Sequence, residues 1–229
     1  MPTRYVDCRS RADYLAGHVA GAAHADPELD LTGTDGGGRH PLPTQEAFAA
    51  WASAAGIGPG VHVAAYDAGT GWAARLWWLL RHFGHDDAEV VELESLTGPR
   101  AQGEEVIEAA VFTPRRRTGD TADAAELLSR LGQPGLTLVD ARAPERWRGE
   151  TEPIDPVAGR IPGARNRYFL DPSPLPQELV DAPDLVVYCG SGVTACAVLY
   201  ALDRAGRADA RLYPGSFSEW YAIGPVERD

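Results

Sequence analysis

The residues best suited to chemistry are Tyr188-Cys189-Gly190-Ser191-Gly192-Val193-Thr194-Ala195. The apolar run Leu185-Val186-Val187-Tyr188 predicts a strand that ends at the cysteine, and Val193 to Arg204 predicts a helix that follows it. This spacing puts a sulfur nucleophile at a strand tip, in a tight loop facing the positive end of a helix. Amides at a helix start have no intrahelical partner and the macrodipole favours negative charge, so a thiolate or bound anion is stabilised there. A cysteine so placed is expected to have a depressed pKa and to react at neutral pH. The chemistry indicated is nucleophilic catalysis by sulfur.

Other side chains read more plainly. Cys196 lies on an apolar run with Val198 and Leu199 and is expected in the core; Cys8 ends a strand and reads as structural. Asp67 is expected to cap the helix that follows it. His82 and His85 stand three apart at a helix end with no cysteine nearby, so no metal site is expected. All 21 basic residues are arginines. Schiff-base, pyridoxal-phosphate and P-loop chemistries need a lysine, which this chain lacks. Neither an organic cofactor nor a metal is expected.

The elements that must position the cysteine occur twice. Tyr5-Val6-Asp7-Cys8-Arg9 and then Gly17-His18-Val19-Ala20-Gly21-Ala22 match Leu138-Val139-Asp140-Ala141-Arg142 and then Gly159-Arg160-Ile161-Pro162-Gly163-Ala164. Each copy is a strand ending in Asp-x-Arg, a polar segment, and a Gly-x-(Val/Ile)-x-Gly-Ala turn. Val61 to Asp67 then matches Leu185 to Cys189, and a helix follows each, closed by Gly84 or Gly206. Third strands are expected at Glu89–Leu93 and Ala210–Tyr213. Two α/β halves follow, each a mostly parallel sheet flanked by helices. The expected domains are residues 1–105 and 121–229, joined by a linker at 106–120 within the Gly-, Pro-, Glu- and Arg-rich stretch from Gly98 to Asp120. Asp67 stands where the second half has Cys189, so only the second half can carry the sulfur chemistry.

Composition narrows the class further. A formal charge of −12 argues against binding nucleic acid or anionic lipid, and Arg115-Arg116-Arg117 reads as a solvated run in the linker. No apolar run is long enough to span a membrane. The start, Met1 to Val6, leads almost directly into a strand, so no signal peptide is expected. Three cysteines make no disulfide framework, and a reducing cytoplasm fits best.

Taken together, these motifs resemble the two-domain rhodanese-like sulfurtransferases over nearly the whole chain. The resemblance rests on Cys189 to Ala195, Asp140-Ala141-Arg142, Arg146-Trp147-Arg148-Gly149, Gly163-Ala164, Tyr213 to Trp220 and Gly38-Arg39-His40-Pro41-Leu42-Pro43. It implies tandem rhodanese-like domains, an inactive first domain and a catalytic second one. It also implies a persulfide on Cys189, loaded from thiosulfate or 3-mercaptopyruvate and passed to a thiol or cyanide. Thiosulfate-type members carry basic residues just after the cysteine; the neutral Gly190 and Ser191 lean to 3-mercaptopyruvate. By the same resemblance Ser191, His40 and an acid, Asp26 or Glu28, handle protons. Arg146 binds the donor carboxylate, and Gly190, Gly192, Val193 and Thr194 cradle the sulfur. A second arginine that some members place after Glu-Pro is replaced by Ile154-Asp155, with Arg148 or Arg160 as substitutes.

Two rivals remain for comparison. A cysteine phosphatase needs an arginine six positions after its nucleophile, where this chain has Ala195. A noncatalytic persulfide carrier would use the same Cys189. The expected partners are the small-molecule donor, the acceptor and a thioredoxin-like reductant, and the expected form is a monomer.

Overall fold

The computed structural model describes residues 2–229. The chain divides into two compact units: unit 1 comprises residues 1–34 and 42–117, and unit 2 comprises residues 35–41 and 118–229. The seven-residue segment 35–41 therefore belongs with the second half, although unit 1 flanks it in sequence.

Unit 1 runs β1 (Thr3–Asp7), α1 (Arg11–Ala16), β2 (His18–Val19), β3 (Ala23–His24), α2 (Gln45–Ala54), β4 (His62–Tyr66), α3 (Trp72–His82), β5 (Ala88–Val90) and β6 (Arg100–Ala101). Its main sheet has the order β3-β1-β4-β5, with all pairs parallel. Unit 2 runs α4 (Ala124–Arg130), β7 (Thr137–Asp140), α5 (Pro144–Arg148), β8 (Arg165–Asn166), α6 (Gln177–Val180), β9 (Leu185–Tyr188), α7 (Ala195–Arg204), β10 (Arg211–Leu212) and α8 (Ser216–Trp220). Its sheet has the order β10-β9-β7-β8, again parallel throughout. Each unit thus repeats one topology, with its second long strand, β4 or β9, flanked on both sides.

Parallel strands covered on both faces read as continuous apolar runs, and all four residues of β9 are buried. On α7, Ala195, Cys196, Val198, Leu199 and Leu202 form the buried stripe of an amphipathic helix. The core of unit 2 gathers Leu127, Leu138, Ile161, Val186, Tyr188, Tyr213, Phe217 and Trp220.

The repeated motifs have a shared structural use. In unit 1, Arg9 pairs with Asp7 and donates to the Gly17 carbonyl at 2.6 Å; in unit 2, Arg142 pairs with Asp140 and donates to the Gly159 carbonyl at 2.7 Å. The tyrosine ending each central strand accepts an N–H from the glycine turn: Tyr66 from Val19 at 3.1 Å, Tyr188 from Ile161 at 3.0 Å. Asp-x-Arg and Gly-x-(Val/Ile) thereby tie the turn to the carboxyl end of the sheet. The Arg142–Asp140 pair is almost fully buried, which makes it a determinant of geometry more than a net source of stability.

Some boundaries differ from the sequence pattern. α7 begins at Ala195 because the Cys196 and Ala197 amides bond back three residues, to Val193 and Thr194, in a tighter first turn. β5 stops at Val90; Leu93–Ser95 form a 3₁₀ turn instead of the expected continuation. β10 is only Arg211–Leu212. β5 is an edge strand paired on one side, so the chain can leave the sheet early, whereas Leu212 of β10 also bridges Thr121 on its outer side. Gly84 and Gly206 take φ of +89° and +86° after their helices. Within the Gly98–Asp120 stretch, β6 pairs with β2, and amides from Ala110 to Arg117 bond to Ser53, Phe83 and His82 of unit 1. Among the described residues no helix is long and apolar enough to cross a membrane.

Candidate active site

β9 delivers Cys189 to the end of the sheet, and α8 holds the loop from the far side. The Phe217 and Ser218 amides donate to the Cys189 and Gly190 carbonyls at 3.0 and 2.9 Å. The Cys189 amide donates to Ser216 Oγ at 3.2 Å, and that hydroxyl donates to the Tyr213 carbonyl at 2.9 Å. Ser216 is fully buried, with φ of +53°. Cys189 itself is 1% exposed.

The surroundings of the Cys189 sulfur are backbone in part. The Gly192 amide points at Cys189 Sγ at 3.1 Å. This requires the left-handed φ of +81° at Gly192, where a Cβ would lie 2.6 Å from the Pro214 carbonyl oxygen. At the entry to α7, Thr194 makes no side-chain cap, so no side chain there competes for the helix amides. Val193 is buried and Thr194 half-buried. Cys196 donates its thiol to the Gly192 carbonyl at 3.3 Å within the core.

Polar side chains converge on this loop from elsewhere in unit 2. His40 Nδ1 lies 2.7 Å from Ser191 Oγ, the direction of the bond being set by the imidazole tautomer. Arg39, beside it, is fixed by its amide on Ser218 Oγ at 3.0 Å and pairs with Asp155. Arg146, on α5, forks onto Glu152 at 2.6 and 3.1 Å and lies 3.5 Å from Asp155. A Cβ built on Gly190 would lie 2.8 Å from Arg39 Nη2 and 3.5 and 3.7 Å from the terminal nitrogens of Arg146. Glycine at 190 therefore lets two guanidiniums close on the residue next to Cys189.

Behind them Arg142 also reaches Glu152, at 3.1 Å, and covers the Phe217 ring at 4.1 Å. Burial works against charge on Glu152, yet the Arg146 and backbone hydrogen bonds prevail and hold its carboxyl below the usual range. Burial likewise opposes charge on Arg142, and Asp140 more than offsets it.

The cysteine loop of unit 2 has a counterpart that is already filled. In unit 1 the Asp67 carboxylate accepts the amides of Gly69, Thr70 and Ala73 at 2.8, 3.3 and 3.0 Å. An anion built into the chain occupies the amide-lined loop at the start of α3. Cys8 is fully buried, and burial, with Asp67, Asp7 and Asp30 nearby, pushes its thiol well up, away from reactivity.

Comparison with known proteins decides the family. The profile of the Rhodanese-like domain matches twice, at residues 2–94 and 123–223. The chain belongs to the rhodanese-like family. A Pseudomonas aeruginosa relative is 42% identical over 233 residues, spanning 90% of this chain and 82% of its own, and carries the provisional name 3-mercaptopyruvate sulfurtransferase. A Mycobacterium tuberculosis relative, 36% identical over 255 residues (96% and 88%), carries the provisional name thiosulfate sulfurtransferase SseB. Among solved structures, 3-mercaptopyruvate sulfurtransferase from Leishmania major superposes with a TM-score of 0.80 at 27% identity, covering 96% of this chain and 70% of that one. Like these rhodanese-like relatives, the chain is a sulfurtransferase.

Against this rhodanese-like frame, the sequence-nominated residues separate clearly. Cys189, Gly190, Ser191, Gly192, Val193, Thr194, His40 and Arg146 gather at one loop. Arg148 does not: its guanidinium forks onto Glu150 at the surface, at 2.6 and 3.1 Å. Arg160 stacks on Trp147 and pairs with Glu227 and Asp229. Asp26 is engaged in its own turn in unit 1, accepting the Glu28 and Leu29 amides at 3.0 and 3.2 Å, and Glu28 is exposed there. The guanidinium that joins Arg146 at Gly190 is that of Arg39, which sequence reasoning passed over despite its place beside His40. Ser216 and Asp155 were missed too; φ of a serine and the pairing of a lone aspartate leave no mark in sequence.

Proposed function

We propose that the chain moves sulfur from 3-mercaptopyruvate to a thiol or cyanide acceptor through a persulfide on Cys189. The observation that carries this reading is the 2.7 Å contact between His40 Nδ1 and Ser191 Oγ in the loop of Cys189. Thiosulfate gives up its outer sulfur by breaking an S–S bond and releasing sulfite, an anion stable as it departs. 3-Mercaptopyruvate must break a C–S bond, and the electron pair passes into an enolate that needs a proton. A hydroxyl–imidazole pair beside the nucleophile supplies a proton route that only the second donor requires.

In the first half-reaction the Cys189 thiolate attacks the donor sulfur. An S–S bond forms, the C3–S bond breaks, and its electrons enter the pyruvate enolate. A proton relayed through Ser191 and His40 to C3 gives pyruvate. The outer sulfur stays on Cys189 as the persulfide. In the second half-reaction an acceptor thiolate attacks that outer sulfur and Cys189 leaves as thiolate. The Gly192 amide and the helix start stabilise sulfur charge in both halves. Arg146 anchors the donor carboxylate. Gly190, Val193 and Thr194 complete the cradle.

A second observation supports the monoanionic donor. Arg39, Arg142 and Arg146 are interlinked with Asp140, Glu152 and Asp155, three cations against three anions, so the site carries no surplus charge for a dianion. The acceptor is a thiol, that of a thioredoxin-like reductant included, or cyanide, and the protein works as a cytoplasmic monomer without nucleic acid; its acidic charge supports the last point.

Intact-mass measurement after brief exposure to each donor tests this reading. Wild-type protein gains one sulfur atom faster from 3-mercaptopyruvate than from thiosulfate, and Cys189→Ser gains none while remaining folded. Sulfur loading on the serine variant, or none on wild type, would overturn it.

A further inference from the structure

Asp155 is 2% exposed in its side chain, yet it stands between two arginines that face Gly190. One carboxylate oxygen, Oδ1, pairs with Arg39. The other, Oδ2, is buried with no hydrogen-bond donor among the described residues, 3.5 Å from Arg146 Nη2. Its neighbour Ile154 is 60% exposed and contributes no charge. The backbone amide of Asp155 is held by Glu152 Oε1 at 3.1 Å, the same oxygen that takes Arg146 at 2.6 Å. Asp155 is thus rigidly mounted as the counter-charge of an arginine pair whose far side opens on the residue next to Cys189.

We propose that the Arg39–Asp155 pair sets the charge of the donor that the site accepts. Arg39 and Arg146 offer two forks to an anionic group, and Asp155 cancels one of the two charges. Glu152 balances the other, so the pair holds no surplus positive charge, and a monocarboxylate such as 3-mercaptopyruvate is accepted more readily than the dianion thiosulfate. Arg39 is a donor-binding residue, and Asp155 acts through it as a specificity-determining neighbour. This inference rests on the proposed sulfur transfer at Cys189, and it deepens that reading from a reaction to a selection rule.

The rule is tested by the ratio of kcat/KM for thiosulfate to that for 3-mercaptopyruvate. Asp155→Asn removes the cancelling charge and is expected to raise this ratio about tenfold. Asp155→Glu keeps the charge and holds the ratio near the wild-type value. Arg39→Gln, at a side chain 31% exposed and therefore tolerant of change, moves the ratio in the opposite direction, about tenfold down. Structural damage alone lowers both donors together and leaves the ratio in place. A ratio unchanged within twofold in both Asp155→Asn and Arg39→Gln overturns the proposal. If Asp155→Asn does not fold, Arg39→Gln alone decides. Binding of the nonreacting anions pyruvate and sulfate, measured by calorimetry, separates this proposal from the reaction itself. Asp155→Asn tightens sulfate relative to pyruvate if the charge rule holds, whether or not wild-type Cys189 loads from either donor. Unchanged relative binding overturns the rule even in a working enzyme.

Discussion

Removing the Ser216 hydroxyl should loosen the cysteine loop without disturbing its packing. Alanine keeps the Cβ, so no cavity opens. What is lost is the acceptor for the Cys189 amide, 3.2 Å away, and the donor to the Tyr213 carbonyl, 2.9 Å away. Cys189, Tyr213 and Ser216 are all buried, so water cannot simply replace the hydroxyl. Each buried group left unpaired costs about 1–3 kcal/mol, and with partial relaxation the pair should cost roughly 2–4 kcal/mol. Ser216→Ala also keeps the left-handed backbone, φ +53°, at a residue with a Cβ. Ser216→Gly loses the same two hydrogen bonds but relieves roughly 1–2 kcal/mol of that strain, against up to about 1 kcal/mol of added unfolded-state entropy. The expected order is therefore wild type, then glycine, then alanine, with glycine above alanine by roughly 0.5–1 kcal/mol by this difference. Urea unfolding at constant slope measures it. The loading rate of Cys189 should fall about tenfold in either variant, because the nucleophile is no longer held in line. An alanine variant within about 0.5 kcal/mol of wild type, the scatter of ordinary surface changes, would refute the reasoning. So would a glycine variant less stable than alanine.

Other outcomes follow from the same geometry. Asp67→Ala strips three amides at the start of α3 of their acceptor and should cost about 1–2 kcal/mol in urea unfolding, with Cys189 loading unchanged. Gly192→Ala forces a Cβ to 2.6 Å from the Pro214 carbonyl at φ +81° and should cut Cys189 loading at least tenfold; normal loading would show that this amide is not part of the cradle. His62 lies 2.7 Å from Asp87 and 3.1 Å from Glu89; the Asp87 hydrogen bond raises its pKa, outweighing the lowering by its slight burial. With the folded value raised above the unfolded value of about 6.5, its stabilising contribution is full below that pH and is lost as pH rises through the folded pKa. His62→Gln should therefore be less stable than wild type at acidic pH and converge with it at alkaline pH. His85, whose pKa burial lowers, should titrate below His62 in an NMR pH series.

What could be read from sequence was whatever depended on local pattern. The four buried residues of β9 announce themselves as an apolar run, and small residues after Cys189 announce a tight loop before a helix. The duplication exposed Asp67 against Cys189, and the carboxylate does bond the amides of its own loop. Relations across long separations were illegible. Arg39 is 116 residues from Asp155, and no periodicity links a glycine-rich loop to a carboxylate after Glu-Pro. Arg148 and Arg160 qualify as substitutes on charge alone; the structure turns them to Glu150 and to Glu227 and Asp229, while Arg39 faces Gly190. Ser216 was hidden because its use depends on a positive φ that serine seldom adopts. The edge strand β5 ends early because pairing on one side, not residue type, decides where an edge strand stops.

Unit 2 is discontinuous along the chain, and this bears on how the protein is made. Arg39 and the Ser218 hydroxyl that fixes it are 179 residues apart. A ribosome adding about 5–20 residues per second needs roughly 10–35 s to bridge that gap. For that interval the loop bearing Arg39 and His40 has emerged while Ser218 does not yet exist, and the loop's other partners, Asp155 and Ser191, come 116 residues after Arg39 and 151 after His40. Unit 1 is translated before any of these partners, so its glycine-rich excursion waits for later residues of unit 2 to recruit it. A fragment beginning at Thr118 would carry Cys189, Ser191 and Arg146 but would never acquire Arg39 or His40, so the cysteine loop cannot be completed from one unbroken stretch of chain.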